Sequence, residues 1–337
     1  LVRAMGWHTG YQAIAAYHDV DLAVDLLYSN FVYQDEYGQI PDGVNDIFCD
    51  MHCTKPPIQG FAFDYLVNHG CLDKLTKEHS QRLYEPFCKW IGWWRNFRDI
   101  DGNGLCDYVH GDESGWDDSS LFNMGMPVES PDIAAFLILL MEAASKLAEK
   151  LGRTEEAEKW MKESKTMLDL MIKTFWNGEK FVARKAVSHE IIDTETIAVY
   201  QPIILGKRLP REIIDKIAAK LNNEETFLSL SEGGLHSESK KSPFYTIGTA
   251  FMMGRVLAPV QLMLCIGLFN AGKKDLAKKI AKAYCDWVLE NGILVFNRDA
   301  IGAGDPAAIV PPVNPGEDWA SWAASMFIAL SRLLSEA

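Results

Sequence analysis

The chain of 337 residues contains no apolar run of the roughly 18–20 residues that a membrane-spanning helix needs. Its richest stretch, Ile133 to Ala144, is broken by Glu142 and reads as a buried helix. Positive charge is in deficit. A net charge of −13 is repelled by phosphate backbones and anionic lipid, so neither nucleic acid nor a membrane surface is an expected partner. Cysteine is sparse. Seven residues, an odd number without framework spacing, exclude a disulfide scaffold and point to reduced thiols in a cytoplasmic setting. Cys49, His52 and Cys53 lie close together, but no second pair at zinc-ligand spacing accompanies them, so no metal or other cofactor is expected. No signal peptide is visible in a chain that begins at Leu1 rather than Met, as a fragment or processed product would. Strand signals are few. Asn177-Gly178, between Trp176 and Phe181-Val182, predicts one small hairpin, and Ile293 to Phe296 a short strand. Without a low-complexity linker or a charge block, a single domain over 1–337 is the simplest organisation.

What is present is helix after helix. Hydrophobic residues make up 48% of the chain, enough to bury a large core. Helical periodicity is read over Gly10 to Val20, Asp21 to Val32, Pro57 to His69 and Gln81 to Phe97. Ser130-Pro131-Asp132 combines a cap, an N1 proline and a first-turn acid, and starts a helix that runs to Leu151. Thr154 caps the next, to Phe175. Further helices are read over Glu195 to Leu205, Arg211 to Leu221, Gly254 to Asn270, Lys274 to Leu289 and Trp319 to Leu334. Short links alternate with long loops at Asp35 to Pro56, Arg98 to Glu129, Ser231 to Phe251 and Arg298 to Asp318. That alternation predicts an all-α toroid of helical hairpins, (α/α)6 in kind, with one or two small β-hairpins in its loops. Eleven helices, where six hairpins need twelve, leave the first helix of the ring absent or weakly coded.

The loop Arg98 to Glu129 is the richest in chemistry. It holds Asp99, Asp101, Asp107, Asp112, Glu113, Asp117 and Asp118, with Trp116 among them. Carboxylates accept hydrogen bonds from sugar hydroxyls, and an aromatic face stacks on the C–H face of a pyranose. A glycosidase also needs a carboxylic acid whose pKa is raised by burial or a neighbouring carboxylate, which crowded acids such as Glu113, Asp117 and Asp118 could supply. A solvated acidic loop remains the alternative on composition alone. Within the same loop, Asp99 to Asp107 imitates a calcium loop, with ligand types at positions 1, 3, 5, 7 and 9 and glycine at position 6. Position 12, which should be a bidentate Glu, is His110, so a simple turn is the preferred reading.

These residues carry a resemblance. Trp93 to Ser120, reading Trp-Trp-Arg-Asn-Phe-Arg-Asp-Ile-Asp-Gly-Asn-Gly-Leu and then Glu-Ser-Gly-Trp-Asp-Asp-Ser-Ser, resembles the signature of the inverting glycosidases on (α/α)6 barrels. That group includes trehalases, processing α-glucosidases and mannosylglycerate hydrolases. Trp7 to Tyr11, Gln34 to Pro41, Lys55-Pro56-Pro57, Gly233-Gly234-Leu235, Gly254 to Gln261 and Trp319 to Ser325 are similar to further segments of the group in the same order. The resemblance implies a glycoside hydrolase, inverting, exo-acting and α-glucosidase-like, with a carbohydrate substrate and no cofactor. It implies Asp117 as general acid, and Trp7, Gln34, Glu113 and Trp116 as substrate-binding residues. Arg98, from its place just before the acidic loop, is read either as a pocket residue that binds a hydroxyl or holds Asp117 ionised, or as a surface salt bridge to Asp99 or Asp101.

Departures fall on ligand-facing positions. His8 stands where the group has a sugar-binding acid, Lys55 replaces its Gln before Pro-Pro, and Met252 to Leu257 replaces Trp-Arg-Gly-Pro-Val-Trp and brings Arg255. Together His8, Lys55 and Arg255 imply an anionic group on the substrate. The group's general-base Glu has no counterpart in Leu294 to Asp299. Glu317, just before the closing helix, is the first choice for the base, Asp299 the second, with Asp305 nearby. A carbohydrate-binding protein without turnover and a phosphorolytic enzyme on the same barrel stay open here, and oligomeric state is not coded legibly.

Overall fold

The computed structural model describes residues 4–247, 252–291, 300–301 and 321–336. Its contacts gather into two compact units. The first comprises Leu1–Gly115, Gly125–Phe175 and Arg184–Ile191, and the second Trp116–Met124, Trp176–Ala183 and Ile192–Ala337.

In the first unit, helices α1 (Gly6–Ala15), α2 (Val20–Tyr28), α3 (Ile58–Asn68), α4 (Lys77–Phe97), α5 (Pro131–Lys150) and α6 (Thr154–Phe175) surround one core. Helix α5 is its axis, buried along most of its length and packed against α3, α4 and α6. Two close approaches explain why small residues stand where they do. A Cβ on Gly60 of α3 would lie 2.6 Å from Leu140 Cα of α5, and one on Gly10 of α1 would lie 2.7 Å from Ile58 Cγ2. At Gly60 only glycine lets the two backbones meet, and at Gly10 a Cβ would press on the Ile58 side chain.

Several starts differ from the sequence-based boundaries. Helix α2 begins after Asp19, whose carboxylate accepts from Leu22 N–H at 3.1 Å. Helix α4 begins earlier than predicted, because Thr76 and His79 form a reciprocal capping box: Thr76 Oγ1 accepts from His79 N–H at 3.0 Å, and His79 Nδ1 from Thr76 N–H at 3.4 Å. Helix α5 starts where expected, but Ser130 does not cap it; its hydroxyl donates to Asp132 instead.

The strands are two- or three-residue ladders. β1 (Ala4–Met5), β2 (Gly43–Val44) and β3 (Cys49–Asp50) form one small antiparallel sheet. β4 (Asp107–Tyr108) pairs antiparallel with β5 (Val128–Glu129), so that Asp107 faces Glu129. β5 in turn pairs with β6 (Ala183–Lys185), with Glu129 opposite Arg184.

The second unit is built on α7 (Arg211–Leu221), α8 (Ala258–Asn270), α9 (Lys274–Asn291) and α10 (Ser321–Ser335). Helix α8 is buried almost throughout and touches α9, α10 and the segment Ile197–Arg208. That segment, read as an α-helix from its periodicity, is a 3-10 helix broken at Gly206, with Pro202 inside it. Proline removes a backbone donor and forbids a regular α-turn there. The predicted hairpin at Asn177-Gly178 exists as a single bridge between Trp176 and Phe181. The strand predicted at Ile293 to Phe296 lies outside the described residues. No helix among those described is long and apolar enough to cross a membrane.

Candidate active site

In the first unit, the 3-10 turn Gly111–Ser114 gathers several of the predicted site residues. Arg98 follows the last turn of α4 and reaches across to Glu113, with Nε 3.0 Å and Nη2 2.5 Å from Oε1. Glu113 is 2% exposed, and its other oxygen accepts from Val109 N–H at 2.9 Å. The guanidinium also lies over the Trp93 ring, 4.5 Å from its centroid. Arg98 therefore serves Glu113 rather than the surface acids Asp99 and Asp101. Lys55 Nζ donates to Asp112 O at 2.5 Å, bringing it to the same turn. Burial first, with the charges of Asp42, Asp112 and Glu113 adding to it, pushes the nearby Cys53 thiol up to about 12, so it is no nucleophile at neutral pH.

The turn ends at Gly115, whose φ of +74° lies in the left-handed region. A Cβ here would stand 2.9 Å from Trp7 Cζ2, so both the dihedral and the ring require glycine. Trp7 itself is buried, edge-on to Tyr11 and Phe136. His8 is buried next to it on α1. Gln34 sits apart from this turn. Its amide donates to Gly38 O at 2.9 Å and Pro86 O at 3.0 Å, which fixes the following loop to α4.

In the second unit, Asp117 occupies a tight turn closed by Ser119 N–H to Trp116 O at 2.9 Å. Both ends of the turn are anchored in the core. Trp116 is 1% exposed, and Ser119 Oγ lies 2.7 Å from Thr196 Oγ1. Ser120 Oγ donates to Glu238 Oε2 at 2.8 Å. Asp118 Oδ1 accepts from Met252 N–H at 2.6 Å. Between these anchors Asp117 is exposed. The crowd of acids in the sequence thus resolves into separate roles: Glu113 is committed to Arg98, Asp118 to a backbone amide, and Asp117 is presented to solvent. Arg255 is half-buried in the segment preceding α8. Glu317 and Asp299, the expected bases, and Asp305 lie outside the described residues.

Glu238 was not singled out by sequence, since nothing local marks it. It is fully buried, and Oε1 has no hydrogen-bond partner among the described residues. Burial first, then the charge of Glu195, pushes its carboxyl from 4.5 to about 6. Folding therefore favours the protonated form. The stability this provides is complete below about pH 4.5 and is lost as pH rises through about 6. Glu238→Gln removes that loss, which is on the order of 2 kcal/mol. Its Tm, compared with wild type, is expected to gain by about 4 °C on going from pH 4.5 to neutral pH; two melting curves that shift in parallel with pH would refute this.

One group of potential metal ligands converges among the described residues: one ligand atom each from Asp101, Glu129 and His189, all within 4.8 Å of one another. Burial first, and then the charges of Glu129, Asp101 and Asp99, push neighbouring Asp107 up to about 7. Cys49, His52 and Cys53 form no such group; His52 Nδ1 pairs with Asp50 at 2.8 Å.

Over residues 2–297 the chain matches the family described as the mannosylglycerate hydrolase MGH1-like glycoside hydrolase domain. It belongs to that family. The protein is accordingly a glycoside hydrolase, as the Glu-Ser-Gly-Trp-Asp segment implied. Solved structures of similar fold include the GH63 mannosylglycerate hydrolase from Thermus thermophilus in complex with glucose. It is 19% identical at a TM-score of 0.78, over 98% of this chain and 93% of that one. The same hydrolase in complex with Tris and D-glycerate aligns at 17% identity and a TM-score of 0.77, over 97% and 93%. The neutral trehalase of Saccharomyces cerevisiae is 13% identical at a TM-score of 0.69, over 98% of this chain and 72% of that one. These likenesses place this MGH1-like chain in the all-α, (α/α)6 glycosidase fold class. No curated protein sequence matches it.

Proposed function

We propose that this MGH1-like glycoside hydrolase is an inverting, exo-acting, α-glucosidase-like enzyme whose small substrate carries an anionic aglycone of the glycerate type. The observation that carries the reading is the placement of Asp117: a carboxyl at the end of the Glu-Ser-Gly-Trp-Asp segment, solvent-facing on a turn whose two ends are tied into the core. A general acid must reach the glycosidic oxygen and must not wander, and an anchored turn meets both needs. Asp117 protonates the leaving oxygen. A second carboxylate takes a proton from the attacking water on the opposite face of the sugar; we assign that base to Glu317, with Asp299 as second choice. Water attack with inversion calls for roughly 6.5–9.5 Å between the two carboxyl groups.

The anionic aglycone follows from three cationic or protonatable residues at ligand-facing positions of the family pattern, His8, Lys55 and Arg255. The D-glycerate complex of the Thermus hydrolase supports the same class. Trp7, Gln34, Arg98, Glu113 and Trp116 complete the proposed binding set, with Gln34 and Arg98 acting by holding loop and carboxylate in place.

The test is proton NMR of the anomer first released from α-glucosyl and α-mannosyl glycerates, alongside neutral disaccharides. The expected result is inversion, with the glycerates turned over at least tenfold faster. A retained anomer would refute the inverting mechanism. Equal rates on neutral disaccharides would refute the anionic aglycone, and a strict requirement for inorganic phosphate would mark a phosphorolytic enzyme instead.

A further inference from the structure

The turn that carries Asp117 rests on a pattern of buried hydroxyls. Two consecutive serines meet two threonines spaced two apart: Ser119 Oγ lies 2.7 Å from Thr196 Oγ1, and Ser120 Oγ 2.5 Å from Thr194 Oγ1. All four side chains are buried. A serine hydroxyl has a single proton to give. Ser120 gives its proton to Glu238 Oε2 at 2.8 Å, so Thr194 must donate to Ser120, and the chain runs one way, from Thr194 through Ser120 to Glu238. The backbone of Glu238 bridges that of Thr196, which closes a ring of Ser119, Thr196, Glu238 and Ser120 beneath the acid.

Burying Glu238 in this ring costs free energy. Its Oε1 has no hydrogen-bond partner among the described residues. The Lys180 ammonium eases the charge only from a distance, since it is paired with Asp193 and Glu195 at 2.7 and 2.8 Å. An apolar side chain of similar size would avoid that desolvation cost altogether. The support of the carboxyl is stiff on both sides. Ile197 N–H donates to Ser237 O at 2.8 Å and Ser239 N–H to Glu195 O at 3.0 Å, while Ser237 N–H donates to Arg255 O at 2.9 Å and Gly254 N–H to Ser237 Oγ at 2.9 Å. A buried acceptor on a clamped backbone, committed to one hydroxyl of the acid turn, is built to hold that turn still.

We infer that Glu238 is a positioning residue for the general acid: acting through the Ser120 hydroxyl, its carboxyl holds the Asp117 turn in the orientation from which the proton reaches the glycosidic oxygen. The inference rests on Asp117 being that acid. Glu238 itself touches no reacting atom. Its worth lies in placement, since an acid displaced by about 1 Å can lose on the order of 10²-fold in rate. Because the carboxyl acts through the hydroxyl, Ser120 and Glu238 work in series, and removing both should do no more harm than removing either.

The test compares a glycoside that needs protonation, α-glucosyl or α-mannosyl glycerate, with the matching α-glycosyl fluoride, whose leaving group needs none. Ser120→Ala and Glu238→Met should each lower kcat on the glycerate about tenfold or more, while KM and turnover of the fluoride stay within about twofold of wild type. The double variant should match the singles. Glu238→Gln, whose amide oxygen can still accept from Ser120, should restore most of what Glu238→Met loses. Ser120→Ala adds no atom to the core, so it is expected to fold even where Glu238→Met does not. Equal falls on glycerate and fluoride, whatever the change in Tm, would mark a merely structural role and overturn the inference, as would wild-type turnover of the glycerate by Ser120→Ala. Asp117→Asn on the same two substrates separates the two claims. If it too shows no split between them, the assignment of the acid fails; if it shows the split and Ser120→Ala does not, only the role of Glu238 falls.

Discussion

Asp117→Asn is expected to lower kcat by about 10²- to 10⁴-fold, the usual worth of a positioned proton donor, while substrate affinity stays within a fewfold of wild type. The amide is nearly isosteric and cannot protonate a leaving oxygen. Because Asp117 is exposed and its turn is held by the backbone bond to Trp116 and by the Ser119 and Ser120 hydroxyls, the exchange should alter stability by no more than about 0.5 kcal/mol. The informative control is Asp118→Asn. Its oxygen can still accept from Met252 N–H, so activity should persist. Substrates with good leaving groups, which need little protonation, should lose less than natural glycosides in Asp117→Asn. Undiminished turnover of a natural glycoside would place the acid elsewhere; a melt collapsed by several degrees would make Asp117 a structural residue.

The second large effect concerns stability. Arg98→Met should cost about 3–5 kcal/mol, because it leaves the Glu113 carboxylate, 2% exposed, buried without its counter-charge. For a chain of this size that corresponds to a fall in Tm of about 10 °C. The double variant Arg98→Met with Glu113→Gln should recover most of the loss, since the neutral amide can keep the bond from Val109 N–H through its oxygen. A double-mutant cycle with coupling below about 1 kcal/mol would show that the pair is no more than a surface contact.

Much of the fold was legible because helices announce themselves locally. Ser130-Pro131-Asp132 marked the start of α5 correctly, although Ser130 itself bonds to Asp132 rather than capping. Arg211–Leu221 matched its reading to the residue. Boundaries slipped where the signal was reciprocal or tertiary. The Thr76–His79 box began α4 a turn early, and the apolar run at Ile197 became a 3-10 helix around Pro202 and Gly206. The site was legible in part for the same reason. Asp117 belongs to a contiguous motif, and so does Glu113. Glu129 does not: it meets the acidic loop only through a two-residue ladder that joins distant segments, and no window of sequence contains that register. Glu238 is likewise marked by burial alone. Arg98 was read as a pocket or surface residue, when its decisive partner lay fifteen residues on at Glu113.

The contact of α3 with α5 at Gly60 bears on motion. With no side chain between them, the two backbones are seated in each other's grooves, and the seat is as narrow as the peptide chain allows. Sliding one helix along the other would first have to lift it out, a step that interlocked packing makes steep rather than gradual. The first unit is therefore stiff where α3 crosses α5 at Gly60.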